Sequence, residues 1–175
     1  MKSVTLLHGL TGILFVLIFS SWSNKKMITS NDSIRTRVTD TFVYHFGDAS
    51  LPPPYHRSYT ISVTPTKALV TIESYSDVLA KDSVVLTADK YNSFAKSLMA
   101  LSIRKSKARS SKGCTGGTTK ALTLYAGSRK EIKGSLYYCG GQAIGNLSGD
   151  VTAAANLFIA LIPQLEKKIE ATKNN

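Results

Sequence analysis

The stretch SYTISVTPTKALVTIES, Ser58 to Ser74, decides the fold. Before Pro65 the apolar side chains fall at odd positions, Tyr59, Ile61 and Val63. After it they fall at even positions, Ala68, Val70 and Ile72. Alternation with period two marks a half-buried strand, and a parity switch across a short loop puts both apolar sets on one face of an antiparallel hairpin. A loop over Pro65–Ala68, or a two-residue turn within it, predicts Val63 opposite Val70 and Ile61 opposite Ile72.

Working outward, TFVYHFG (Thr41–Gly47) alternates Phe42, Tyr44 and Phe46 with Val43 and His45, a strand with one aromatic face. GDASLPPP must be loop, because prolines cannot donate to a sheet ladder, and its prolines predict an extended polyproline lead-in. Downstream, KDSVVLT supplies a third meander strand with Val84 and Leu86 inward. Thr87 then reads as a helix N-cap with Asp89 in the first turn, ahead of a helical stripe of Tyr91, Phe94, Ala95, Leu98 and Leu101. A polar, basic connector follows. The second half repeats the idea, with strands around Thr119–Tyr125 and Lys130–Tyr138 about a turn at Gly127-Ser128. Leu122, Leu124, Ile132, Leu136 and Tyr138 are all even, so an odd-length turn aligns their faces. Asp150 caps a last helix with a stripe of Val151, Ala154, Phe158, Leu161, Leu165 and Ile169. Pro163 predicts a kink in it or two abutting helices.

The N-terminus reads differently. Lys2 precedes an apolar run, Leu10 to Phe19, broken only by Thr11 and Gly12, and the small residues Ser21 and Ser23 follow. This is the pattern of a secretory signal peptide over 1–23, cleaved after Ser23. An uncleaved anchor is the alternative, although the run is short of the roughly 20 residues a membrane span needs. Residues 24–40 are polar and aperiodic and read as a flexible spacer, 41–172 as one α+β domain, and 173–175 as a tail. Export makes the two cysteines, Cys114 and Cys139, a disulfide pair. On regular strands their opposite parity would aim them at opposite faces. A glycine irregularity at Gly116-Gly117 or Gly140-Gly141 must therefore absorb one residue, and the bridge closes the open end of the hairpin across a glycine bulge. The expected fold is α+β: an antiparallel meander sheet of about six strands, two main helices packed on it, and one disulfide.

Catalytic signatures are scarce. No G-x-S-x-G elbow is present, and GGTTK (Gly116–Lys120) lacks the Gly-Lys-Ser/Thr of a phosphate loop. The glycine-rich run before Asp150 has its helix cap occupied by a carboxylate, which would repel phosphate. His45 and His56 would need Asp48 or Asp77 to converge with them before a metal could bind, and their spacing does not require it. Neither metal nor cofactor is implied. Two candidate binding groups stand out. Tyr55, His56 and Arg57 follow three prolines, either as a recognition surface on a stiff turn or with Arg57 paired to Asp48 to pin the loop. Arg104, Lys105, Lys107, Arg109 and Lys112 fill the connector with no acid among them. That connector lacks the interleaved aromatics of single-strand nucleic-acid recognition, so sequence-specific nucleic-acid binding is not expected. A solvated loop is its plainer role.

With 22 basic and 11 acidic residues the chain carries a net charge of +11, which favours anionic partners. PPPYHRSYTI, SYSDVLA and the GCTGG…YYCGG cysteine pair resemble small exported bacterial proteins of uncharacterised function, over roughly Thr41 to Leu165. The resemblance implies export and one shared architecture, and carries no catalytic residues. The expected function is a non-catalytic exported binding module in the periplasm, at the cell envelope or outside the cell, with an anionic envelope component or another protein as partner. Membrane contact would come only through the N-terminal segment if it is kept. The alternatives are a small hydrolase-like enzyme with a site around His56 and a polyanion-binding basic protein.

Overall fold

The computed structural model describes residues 40–108, 113–126 and 129–174. The signal segment, the spacer up to residue 39, the Gly127-Ser128 turn, and Arg109 and Lys112 of the connector lie outside them. The elements are β1 (Thr41–Gly47), β2 (Ser58–Val63), β3 (Lys67–Ser74), β4 (Asp77–Val85), α1 (Ala88–Ala100), β5 (Arg104–Lys105), β6 (Thr118–Ala126), β7 (Arg129–Cys139), β8 (Gln142–Gly145), β9 (Leu147–Ser148), α2 (Val151–Ile159) and α3 (Leu165–Ala171), with a 3-10 turn over Thr172–Asn174. Seven strands form one antiparallel sheet in the order β4-β3-β2-β1-β6-β7-β8, and β5 pairs with β9 in a small second sheet. The α+β expectation holds, with one more strand in the main sheet than the sequence suggested. No helix among the described residues is long and apolar enough to cross a membrane.

The first half runs β1 to β4 and then α1, the second β5 to β9 and then α2 and α3, and the two meet where β1 pairs with β6, Tyr44 opposite Leu122. Alternation works as read: Tyr59, Ile61, Val63, Ala68, Val70 and Ile72 are all buried. The β2–β3 register differs from expectation by two residues. Val63 faces Ala68 and Ile61 faces Val70, and the Thr64 N–H donates to the Lys67 carbonyl (2.9 Å) across a two-residue turn, Pro65-Thr66. A slip of two leaves every side chain on its own face, so the periodicity could not distinguish the two registers. The tighter turn wins by pairing backbone groups that a longer loop would leave to solvent.

The three helices among the described residues lie on the face that carries Phe42 and Tyr44. The Phe94 ring meets Phe42 edge-on (5.8 Å between centroids) and Phe158 likewise (5.0 Å), while Phe158 also packs on Tyr44 (5.6 Å). One aromatic cluster thus joins β1, α1 and α2. Thr87 caps α1 by accepting from the Lys90 N–H, and Asp150 caps α2 by accepting from the Ala153 N–H (2.8 Å). Asp40, assigned to the spacer on sequence, is buried, and its carbonyl accepts the Tyr91 hydroxyl (2.8 Å). At Pro163 the last helix divides into α2 and α3, with Gln164 left-handed at φ 57° between them. An ion pair from Lys168 to Asp82 (2.7 Å) ties α3 to β4.

In the second hairpin the odd residue is absorbed by the strand and not by the turn. Ala126 pairs with Arg129, and the register shifts between the Leu124–Ile132 and Tyr125–Lys130 pairs. Cys114 and Cys139 are bonded and close the open end of the β6–β7 hairpin as expected. The irregularity is not a bulge in the ladder, however. The chain turns before β6 begins, at Gly116 (φ 77°), which brings Cys114 back to Cys139. Gly140 and Gly141, both at positive φ, form the β7–β8 turn instead. Gly134 of β7 answers a close approach: a Cβ there would stand 2.5 Å from Leu147, whose side chain closes the core at that edge.

Two outcomes follow from this packing. A bridge spanning 25 positions stabilises by about 3.5 kcal/mol on chain-entropy grounds, so reduction should lower the urea-unfolding free energy by about 2–4 kcal/mol. Burial raises the phenols of Tyr44, Tyr59 and Tyr91, the last to about 12 with a contribution from the Asp40 carboxylate. Above the ordinary value near 10 the unfolded chain has released protons that the folded chain still holds, so stability falls as pH rises. Ultraviolet titration of phenolate should show three of the eight tyrosines resisting ionisation until the chain unfolds.

Candidate functional site

The Leu51–Arg57 segment is not an extended polyproline lead-in. The Pro52 carbonyl accepts from the N–H groups of both Tyr55 (2.9 Å) and His56 (3.1 Å), so the prolines bend into a turn at the head of β2. Proline's fixed φ suits the first corner of such a turn, and the N–H groups that follow find the nearest carbonyl. Asp48 pins the loop, though through backbone: its Oδ2 accepts from the Arg57 N–H (2.8 Å) and its Oδ1 from the Ala49 N–H (2.8 Å).

The Arg57 guanidinium turns the other way, inward. Its Nε donates to the Thr172 hydroxyl (2.8 Å), Nη2 to the Thr172 carbonyl (2.7 Å), and Nη1 to the carbonyls of Pro53 (3.1 Å) and His56 (2.5 Å). Arg57 and Thr172 are both buried. Thr172 is the C-cap of α3, where the helix leaves carbonyls unpaired and partially negative, a place that favours a cation. Arg57 therefore joins the proline loop to the end of α3.

His56 is equally committed. It is 6% exposed and stacks on Tyr75, with ring centres 4.1 Å apart and planes 15° from parallel. Its Nδ1 accepts from the Tyr75 N–H (3.2 Å), which leaves the proton on Nε2, and that nitrogen faces Ser58 Oγ at 3.3 Å. Ser58 Oγ already accepts from the Asp48 N–H (2.9 Å). A serine nucleophile needs a histidine nitrogen with a free lone pair to take its proton. Here the polarity is reversed, so Ser58 and His56 do not form a catalytic dyad. Tyr75 itself sits at φ 54°, a strained region for an aromatic residue, and its hydroxyl donates to the Leu51 carbonyl to complete the clasp. Only Tyr55 of the sequence-selected trio is open to solvent, at 64% exposure.

The other described histidine, His45, lies on the sheet face that no described helix covers. His45 Nδ1 is 3.0 Å from the Thr60 hydroxyl and 4.0 Å from a Glu73 carboxylate oxygen. Both partners address the same nitrogen, so no relay runs through the ring. Among the described residues no group of three His, Cys, Asp or Glu side chains is placed to hold a metal.

The basic connector separates. Arg104 and Lys105 form β5, paired with Ser148 and Leu147 of β9, an element that the sequence did not suggest. Lys107 lines a cavity of about 540 Å³ with Leu136, Gly145 and Leu147. Lys105 instead joins two lysines outside the connector, Lys130 and Lys133 of β7, around a groove of about 400 Å³. Sequence reasoning passed over both, because their opposite parity sends them to opposite faces of a regular strand. This groove belongs to the β6–β7 half of the sheet and the His56 loop to the β2–β4 half, so the structure does not bring the two candidate groups together. No family model matches the chain, and neither curated proteins nor solved structures give a match.

The Arg57 geometry sets an expectation for stability. Replacing Arg57 with Met strands the buried carbonyls it serves, while the Thr172 hydroxyl keeps its bond to the Ile169 carbonyl, and should cost about 2–4 kcal/mol in urea unfolding. Arg57→Lys should recover little, since one ammonium cannot span donors fixed in a planar fork. Tyr55→Ala should stay within about 0.5 kcal/mol of the parent.

Proposed function

We propose that this protein is an exported, non-catalytic binding module that works in the periplasm, at the cell envelope or outside the cell. The observation that carries the reading is the proline-loop cluster. Its histidine has its acceptor nitrogen filled by a backbone N–H, and its arginine makes four hydrogen bonds to carbonyls and a threonine, so the groups best suited to chemistry are spent on holding the fold. The Cys114–Cys139 bridge supports an oxidising destination, as does the signal-like N-terminal run. The resemblance to small exported bacterial proteins points the same way.

Two measurements test this together. Intact mass of the protein from its native host should correspond to a chain beginning near Asn24 that gains about two mass units on reduction. A serine-directed fluorophosphonate should leave Ser58 unlabelled. A full-length chain with free thiols would remove the export reading, and labelling of Ser58 would restore the hydrolase.

A further inference from the structure

Among the described residues no helix covers the sheet face opposite Phe42 and Tyr44, so a ligand there displaces none of the described helices. On β6 that face carries Ala121 and Thr123, and on β7 it carries Lys133 and Ser135, their cross-strand partners. The small side chains floor a trough, and Lys105, Lys130 and Lys133 line it with Asn146. No carboxylate is among its described lining residues. Asn146 is itself held, its Oδ1 accepting from the Ser135 N–H (2.8 Å).

The convergence of the lysines depends on one irregularity. Lys130 and Lys133 are three apart and would point to opposite faces of a regular strand. The register shift opposite Leu124 and Tyr125 places Lys130 across from Tyr125, which shares its face with Thr123, the partner of Lys133. The bulge thus re-aims Lys130 onto the uncovered face, a use bulges often serve. Lys105 arrives from the β5–β9 ribbon folded over the β7 edge. Lys130 sits over the Tyr125 ring (6.0 Å), whereas the Lys120 ammonium lies outside the groove, engaged by the Thr152 hydroxyl (3.1 Å) and the Tyr138 ring (4.8 Å).

Building on the binding-module reading, we infer that this groove binds an acidic glycan, a sugar chain bearing sulfate or carboxylate groups. Three ammonium groups on flexible stems are point charges suited to oxyanions of varied geometry. Thr123, Ser135 and Asn146 between them offer the neutral hydrogen bonds that sugar hydroxyls use. No aromatic side chain is among its described lining residues, and the one ring beside it, Tyr125, lies under the Lys130 ammonium (6.0 Å to the ring centre), so these residues do not offer the run of open rings on which single-stranded nucleic acid stacks.

The test uses the mature chain with its bridge intact, titrated with a heparin fragment, with polygalacturonate, and with single-stranded DNA of matched charge. At least one glycan should bind more tightly than the DNA, with affinity falling as salt rises. The K105Q/K130Q/K133Q triple variant should lose about tenfold or more of that affinity. K67Q/K90Q/K96Q removes equal charge from exposed lysines elsewhere and should change it by less than about twofold. Binding of heparin alone narrows the anion to sulfate and of polygalacturonate alone to carboxylate, and either supports the site. Equal losses in the two triple variants, DNA binding as tight as glycan, or no glycan binding overturns it. Failure here in a chain of mature mass leaves the exported binding module standing with another ligand, whereas a full-length reduced chain removes that reading whatever the titrations show.

Discussion

The pairing of β1 with β6 is the constraint on which the rest of the structure depends. It joins segments far apart in the chain, with Phe42 opposite Leu124 and Tyr44 opposite Leu122. Without it the main sheet would be a four-strand unit, β1 to β4, and a three-strand unit, β6 to β8, each with one apolar face, and neither core would close. With it, β1 becomes the centre of a seven-stranded sheet, and Phe42 and Tyr44 receive α1 and α2 from the two halves. Closing such a long loop costs entropy before any contact offsets it, so this pairing is also the step expected to limit folding.

Around that centre the peripheral devices each secure a different boundary. The disulfide holds the open end of the β6–β7 hairpin, and Gly134 admits Leu147 so that β9 can fold over the sheet edge. On the opposite side, Arg57 and Lys168 hold α3 from two directions, one at its C-cap and one along β4. Arg57 is a buried cation with neutral partners. Its hydration is replaced by oriented carbonyls at a helix end and not by a counter-charge, an arrangement that leaves few donors for any ligand.

The division of labour between the sheet's two faces gives the functional reading its shape. One face is filled by aromatic and aliphatic side chains and covered by helices. The other keeps hydroxyls, His45 and a lysine-lined trough in contact with solvent. The loop that looks most reactive on paper is the one most thoroughly incorporated into the fold, while the inferred binding groove is made of side chains unremarkable one by one.

By itself the sequence determined most of the residues that face inward, where α1 and α2 start, that Pro163 interrupts the last helix, and that two cysteines pair, because all of these follow from local periodicity, capping chemistry and a count. Thr87, Asp150 and Pro163 acted where they stand in the chain, and the alternation of Phe42 and Tyr44 needs no partner to be read. What only the tertiary structure decided is which strand neighbours which, and hence what converges. A period of two assigns a face but neither a register nor a neighbour, so the two-residue slip of β2 against β3 was invisible. The partner of Arg57 lies 115 positions away in Thr172, and the company of Lys105 depends on a bulge that reverses the parity of Lys130. Contacts between segments remote in sequence are chosen by how well the whole chain packs, and that choice leaves no mark on any short stretch of it.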